Sequence, residues 1–136
     1  MRFPALPLLD ADNTAYWTSG SDGVLSIHRC EDCRRYVHPP APVCRWCTSR
    51  AVRPEVVSGA GTLYSYSHNV HDWTGDGETF IYALAELDEQ PGLRISAYLR
   101  GGSPEHVRIG MPVRVDFEPQ DGIWFPVLRP AEGKAS

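Results

Sequence analysis

The chain has 136 residues, 42% of them hydrophobic and 22% charged, which fits about one globular domain and excludes a disordered or fibrous protein. Thirteen basic and seventeen acidic residues give a formal net charge of −4, which argues against a general nucleic-acid binder. No apolar run reaches the roughly 20 residues that a membrane helix needs, and the opening residues do not form a secretory signal. We therefore expect a cytoplasmic protein that does not bind membranes.

The first segment, residues 1–23, predicts one short helix. A polar residue among 12–14 could cap its N-terminus, Tyr16 and Trp17 are its apolar anchors, and Gly20 is expected to end it. Because a helix of this length is unstable alone, we expect it to dock on the rest of the chain.

The second segment, residues 24–53, contains all four cysteines as two Cys-x-x-Cys pairs separated by ten residues. Two tight turns facing each other place four sulfurs in a tetrahedral shell, and a closed thiolate shell is typical of structural zinc. Iron in the same cage is an alternative, and disulfides are a weaker one because a reducing compartment is expected. We predict that one structural Zn²⁺ is bound by Cys30, Cys33, Cys44 and Cys47.

The cysteine segment is also basic, with six arginines and two acidic residues between positions 29 and 53. Guanidinium groups bind phosphates and carboxylates in a forked geometry, so Arg34, Arg35 and Arg45 are candidate contacts to a ligand or partner. Trp46, inside the second pair, is a candidate interface anchor. The alternative is that these arginines only neutralise the thiolates.

The third segment, residues 54–136, alternates apolar and polar residues in short strands separated by turns such as 74–77. A short helix is predicted at 103–105, between the third and fourth strands, with Ser103 as its cap. This element order is typical of a five-stranded OB-fold barrel, with a small β-sandwich as the competing prediction. The five strands are predicted at 62–70, 80–87, 93–100, 113–118 and 123–128.

Three residues on one predicted face of the first of these strands are candidate ligand or partner contacts, namely Tyr64, Tyr66 and His68. The two tyrosines could form a stacking platform for single-stranded nucleic acid, but such a site needs a basic groove and this segment is acidic. His68, with His71 and Asp72, could form a general base, but no matching nucleophile accompanies them. We predict no catalytic residue.

Six blocks of sequence between Leu25 and Leu128 carry a family resemblance: Cys30-x-x-Cys33, 35–40, 42–47, 59–66, 83–89 and 107–113. In this order, over about three-quarters of the chain, they resemble the zinc-ribbon/OB-fold family of acyl-CoA-associated proteins. One departure is Arg34, which stands where the family often has a glycine. It bears on the backbone after the first pair, not on the ligands.

The resemblance implies a rubredoxin-like zinc ribbon, an OB domain and a role as a non-catalytic accessory subunit. Similar proteins accompany thiolase-like enzymes, including lipid-transfer-type aldolases that act on steroid side-chain CoA thioesters. In such complexes the OB domain helps to hold the acyl-CoA or the partner. Others accompany hot-dog-fold enoyl-CoA hydratases or acyltransferases, or act as scaffolds. Two hypotheses of other classes stay open: a single-stranded nucleic-acid-binding module and a rubredoxin-like electron carrier.

Overall fold

The computed structural model describes Phe3, residues 5–71 and residues 79–131, so the turn predicted at 74–77 and the tail after Ala131 lie outside the described residues. Within these ranges the chain is mainly β, with one short helix near its start, a three-stranded sheet and a closed barrel. None of the helices in the described ranges has the length and hydropathy to span a bilayer.

The N-terminal helix α1 spans Thr14–Thr18 and continues as a 3₁₀ turn over Ser19–Asp22. The expectation that Gly20 ends the helix is wrong. The helical segment ends at Gly23, whose positive φ of 76° is a conformation that glycine adopts without strain. Gly20 is instead buried, and a Cβ there would lie 2.5 Å from the ring of Phe117. This glycine therefore serves close packing of the helical segment on the barrel.

The two anchors predicted for α1 do dock on the rest of the chain. Tyr16 is buried in the main hydrophobic core, and the ring of Trp17 packs edge-on against Phe125 at 5.6 Å between centroids. At the helix start, Asn13 forms no side-chain cap; the Asp10 carboxylate instead accepts hydrogen bonds from nearby backbone N–H groups. The Asp10 carboxylate thus orders the loop before the helix and does not cap the first turn.

The ribbon is an antiparallel sheet of three strands in the order β2-β1-β3. Its strands are β1 (Leu25–Cys30), β2 (Tyr36–Val37) and β3 (Val52–Val57). All six residues of β3 pair with β1, so the ribbon sheet continues to Val57, past the boundary that we expected at Arg53. The linker to the barrel is correspondingly short.

The barrel is closed in the order β4-β5-β6-β8-β7, which confirms the predicted OB-fold arrangement and excludes the sandwich. The predicted helix between its third and fourth strands is a single 3₁₀ turn, Pro104–His106, and Ser103 forms no side-chain cap there; its hydroxyl contacts His106 Nδ1 instead. The barrel strands are β4 (Ala60–Asn69), β5 (Phe80–Leu87), β6 (Arg94–Leu99), β7 (Pro112–Gln120) and β8 (Ile123–Pro130).

A β-bulge interrupts β4 at Tyr64. Leu63 pairs with Ala85 and Ser65 with Leu84, so Tyr64 is the extra residue on its strand. Beyond the bulge, Tyr66 lies opposite the buried Ala83. The prediction that one face carries every second residue from 62 to 70 is therefore wrong, because the extra residue shifts the alternation.

The ribbon and the barrel share one hydrophobic core, in which Leu25 and Ile27 of β1 join the barrel residues. A pair of hydrogen bonds also joins the two regions. The Gln90 side chain, in the β5–β6 turn, accepts from the backbone N–H of Tyr36 at 2.8 Å and donates to its carbonyl at 3.2 Å. We call this pair of hydrogen bonds the Gln90 clamp.

Candidate metal centre and surrounding surfaces

The four cysteine sulfurs lie within 4.8 Å of one another. The Cys30–Cys47 and Cys33–Cys44 Sγ distances are 3.6 and 3.7 Å. A tetrahedron of thiolates with metal–sulfur bonds of about 2.3 Å has sulfur–sulfur edges of about 3.8 Å, whereas a disulfide bond is about 2.05 Å long. The geometry therefore fits a single tetrahedral ion, and the disulfide alternative is wrong, since all four cysteines are free.

Backbone N–H groups point at the sulfurs and favour their ionised form. The N–H of Cys33 approaches Cys30 Sγ at 3.5 Å, and that of Trp46 approaches Cys44 Sγ at 3.3 Å. The hydrogen bond from Cys33 is the largest influence that holds the pKa of the Cys30 thiol at about 6, below its ordinary value. Thiolates are the form that binds metal, so the donor set suits zinc or iron.

The two Cys-x-x-Cys turns, which we call the knuckles, have the same hydrogen-bond pattern. The first cysteine of each accepts from the N–H four residues later and donates to the carbonyl five residues later. Its partners are Arg34 and Arg35 for Cys30, and Thr48 and Ser49 for Cys44. The equal spacing seen in the sequence therefore corresponds to a repeated local structure.

The residue after each knuckle has a left-handed backbone, with φ of 68° at Arg34 and 63° at Thr48. This conformation favours glycine and costs other residues energy. This left-handed conformation explains why the family often has a glycine where this chain has Arg34. Arg34 adopts the same conformation and leaves the ligands in place. Its side chain turns toward Glu55, 3.8 Å away, where Arg29 forms a shorter contact of 2.8 Å.

Two of the predicted arginines lie beside the predicted aromatic anchor. The guanidinium carbons of Arg35 and Arg45 are 4.9 and 5.3 Å from the centroid of the Trp46 ring. Trp46 is 48% exposed, on a knuckle whose backbone is fixed by the cysteine cluster. We call Arg35, Arg45 and Trp46 the knuckle patch. Arg34 does not belong to it, because it contacts Glu55 instead.

The other predicted contacts lie on the barrel and do not form one platform. The guanidinium carbon of Arg94 is 3.8 Å from the centroid of the Tyr64 ring, so one face of that ring is covered. Tyr66 lies beyond the bulge, and His68 lines a small cavity near Ile81 at the end of the barrel. Asp72, considered as an orienting group for His68, lies outside the described residues. The two tyrosines therefore do not form a continuous stacking surface.

Sequence reasoning missed an apolar cavity of about 520 Å³ between the N-terminal segment and the outer face of the barrel. Phe3 stacks on Phe125 at 3.8 Å, and the Tyr98 ring packs near Phe80 and Tyr82, both at 5.1 Å. The signal was present, because Tyr98 stands among polar residues on the outward face of β6. We call this cavity the aromatic cleft, and its aromatic lining is Phe3, Trp17, Phe80, Tyr82, Tyr98 and Phe125.

A second cavity of about 420 Å³ adjoins the cleft and shares Trp17, Tyr82 and Ser96 with it. Its lining is more polar and includes Asp10, Asp12 and His38. Burial, with a smaller effect from the nearby His28, lowers the pKa of His38 to about 4, so its imidazole is neutral at pH 7.

The comparisons with known proteins agree with this architecture. The family model described as "ChsH2, C-terminal OB-fold domain" matches residues 55–118. The solved structure described as "Ltp2-ChsH2(DUF35) aldolase" contains a chain with 34% sequence identity and a TM-score of 0.83. The match covers 93% of the present chain and 100% of that one.

Two curated relatives are named as hydratase subunits. The chain is 35% identical over 127 residues to a "probable enoyl-CoA hydratase alpha subunit" of Thermomonospora curvata. It is 35% identical over 112 residues to the "3-oxo-4,17-pregnadiene-20-carboxyl-CoA hydratase alpha subunit" of Mycobacterium tuberculosis. These matches cover 92% and 82% of the chain but only 39% and 35% of the two relatives, so the chain spans little more than a third of their length.

Proposed function

The chain belongs to the DUF35 family that includes ChsH2, and on this premise we propose that it is a non-catalytic accessory subunit of an acyl-CoA enzyme in the cytoplasm. The proposed partner is a thiolase-like, lipid-transfer-type aldolase that acts on CoA thioesters, with steroid side-chain degradation as the favoured pathway. The observation that carries the proposal is the match along the whole DUF35 chain of an Ltp2–ChsH2 aldolase. An enoyl-CoA hydratase of the hot-dog fold, or an acyltransferase, is the alternative partner.

The names of the relatives support an accessory role over a catalytic one. One relative is named an aldolase and two are named hydratase subunits, and these are different reactions. The segment that they share with this chain is the ribbon and barrel. A module common to both reactions is better explained by assembly than by either chemistry.

We assign the cysteine cluster a structural zinc ion. Cys30, Cys33, Cys44 and Cys47 would fill all four tetrahedral positions, which leaves no site for substrate or water. Bound zinc supplies cross-linking of the two knuckles and no redox chemistry. The chain's own contribution is to hold the knuckle backbone, and with it the surface around Trp46, in one conformation.

We further propose that the knuckle patch contacts the partner. Tryptophan and arginine dominate the energetic centres of protein interfaces, and arginines stacked on a ring keep their N–H donors free for carboxylates. Arg34, Tyr64, Tyr66 and His68 remain proposed contacts at other places on the surface. Docking of this kind would shape the thioester site of the partner and lower the entropic cost of a productive pose.

Co-expression with a thiolase-like partner, followed by size-exclusion chromatography, tests the proposal. We expect one co-eluting complex that cleaves a steroid-CoA substrate, while the purified chain alone turns over no thioester. Separate elution, or thioester cleavage by the chain alone, would contradict the proposed function. Co-elution with a hydratase partner alone would favour the alternative.

Charge reversal then tests the surface. The double variant Arg35→Glu/Arg45→Glu should weaken the complex at least tenfold, because two desolvated charges would then oppose the partner. The matched control is Arg50→Glu/Arg53→Glu, which makes the same change of charge on exposed ribbon residues outside the patch. Metal content, measured on both variants, verifies that the knuckles are intact.

A further inference from the structure

The aromatic cleft has the size and composition of a small-molecule site. Its volume of about 520 Å³ lies within the roughly 300–1,000 Å³ of ligand pockets, which are mostly apolar with a few polar groups. Tyr82, which lines the cleft, is 42% exposed, so the cleft is open to a ligand at this residue. The Tyr98 ring meets those of Phe80 and Tyr82 nearly at right angles, whereas Phe3 and Phe125 stack nearly parallel, so the lining offers both ring faces and ring edges.

The charges around the cleft select against an anionic ligand. Among the described residues that line it, none is formally charged. Arg100, which stacks near Phe3 and Tyr98, is held by two hydrogen bonds of 2.8 Å to the Glu118 carboxylate. Phosphate groups would therefore find no cation presented to them in the cleft.

The adjoining cavity adds a polar end without adding positive charge. The Tyr82 hydroxyl donates to Ser96 Oγ at 3.1 Å, where the two cavities meet. Beyond this point lie Asp10 and Asp12, which disfavour anions. A ligand with an apolar body and an uncharged oxygen at one end fits this arrangement, with its body in the aromatic cleft and its oxygen near the Tyr82–Ser96 pair.

We propose that the aromatic cleft binds the flat, uncharged ring portion of the acyl group whose CoA thioester the partner enzyme processes. A carbonyl or hydroxyl oxygen of the ring lies at the Tyr82–Ser96 pair, and the CoA moiety stays outside the cleft. This inference rests on the proposed function, because it takes the ligand to be the partner's substrate. It adds which part of that substrate the accessory chain holds and at which surface.

Progesterone, an uncharged compound of four fused rings with carbonyl ends, is the probe. We expect titration of the ¹⁵N-labelled full chain to shift the amide resonances of Tyr82, Ser96 and Tyr98 in a saturable manner. Coenzyme A alone should leave these resonances unchanged, and sodium octanoate should bind at least tenfold more weakly than progesterone. No saturable shift with progesterone, shifts confined to another surface, or equal binding of coenzyme A or octanoate at the cleft would overturn the inference.

Two variants of the exposed Tyr82 locate the site without disturbing the core. Tyr82→Glu should lower progesterone affinity at least tenfold, because a carboxylate would enter the apolar cleft. Tyr82→Phe should lower it roughly two- to tenfold through loss of one hydrogen bond. Ile109→Glu, which makes a comparable change at a residue that is 67% exposed outside the cleft, is the matched control and should bind like the wild type. Wild-type affinity in Tyr82→Glu would overturn the assignment.

The inference and the proposed function fail in different experiments. If the complex with the partner forms but progesterone does not reach the cleft, the accessory role stands and the ligand site is wrong. If progesterone binds but no acyl-CoA enzyme assembles with the chain, the cleft is a ligand site and its link to a partner's substrate is wrong.

Discussion

The knuckle end of the ribbon and the barrel are stabilised by different kinds of contact. The small core under the knuckles consists of Cys30, Val37, Cys44 and Val52, so half of its buried residues are thiols. The barrel core consists of aliphatic and aromatic residues contributed by every strand. The barrel-side half of the ribbon resembles the barrel, since Leu25 and Ile27 belong to its core. Metal dependence should therefore be confined to the knuckles.

Removal of one ligand gives the largest expected effect. Cys44→Ser should abolish stoichiometric metal binding, because structural zinc contributes on the order of 10 kcal/mol to folding of such sites. The knuckles should then lose amide protection while the barrel strands keep theirs. Metal analysis together with hydrogen exchange followed by NMR measures both.

The control for this variant is Val43→Ser, a polar replacement at the exposed neighbouring position. It should retain one ion per chain. Unfolding of the barrel in Cys44→Ser, or retention of the ion, would contradict the division between the two regions.

A core truncation in the barrel should lower the stability of the barrel and leave metal binding by the knuckles intact. Leu63, 1% exposed, lies beside the bulge, and Leu63→Ala should lower the free energy of unfolding by about 2–5 kcal/mol. Chemical denaturation of the metal-loaded protein checks this, with Leu8→Ala, at a 90% exposed position, as the near-neutral control. A loss of metal affinity as large as the loss of barrel stability would show that the regions are not separable.

The boundary between the two regions should respond to acid. His38, next to Tyr16 of the helix, has its pKa lowered from 6.5 to about 4 by burial, so the folded state favours neutral imidazole. Its contribution to stability is full above pH 6.5 and is lost as pH falls from 6.5 toward 4, by at most about 3 kcal/mol.

His38→Gln removes this titration, so it isolates the effect from acid release of the metal, which both proteins undergo. The wild type should lose more stability than the variant between pH 6.5 and 4 in thermal unfolding. Parallel pH profiles would mean that His38 is accessible to protons in the folded state.

The smallest effect is expected at the left-handed residues after the knuckles. Arg34→Gly relieves a backbone strain of about 1 kcal/mol or more, partly offset by the greater freedom of glycine in the unfolded chain. The substitution also removes the ion pair between Arg34 and Glu55, which is long and exposed and contributes little to stability. We expect slower metal loss to a chelator by a small factor, and a similar change in Thr48→Gly. Faster loss from both variants would show that the strain is not present.

Local patterns in the sequence were sufficient for the cysteine cluster and for the barrel strands. The equal spacing of the cysteines predicts two equal turns, and the alternation of apolar and polar residues predicts strands, because both structures depend on residues close together in the sequence. The bulge at Tyr64 was not predictable, since it arises from pairing with β5 across many residues. The aromatic cleft likewise combines β4, β5, β6, β8 and the N-terminal segment, and only the fold brings these together.

The Gln90 clamp has a consequence for how such proteins diversify. Gln90 lies in a turn of the barrel, yet its side chain forms two hydrogen bonds with the backbone of Tyr36 in the ribbon. These bonds supplement the short pairing of the two-residue strand β2. An insertion or deletion in that turn would remove this link to Tyr36, while the core shared through Leu25 and Ile27 would still join the ribbon to the barrel. A change in the length of this one hairpin would therefore change how the ribbon beside Tyr36 is held, and with it the surface that a relative presents to a partner enzyme.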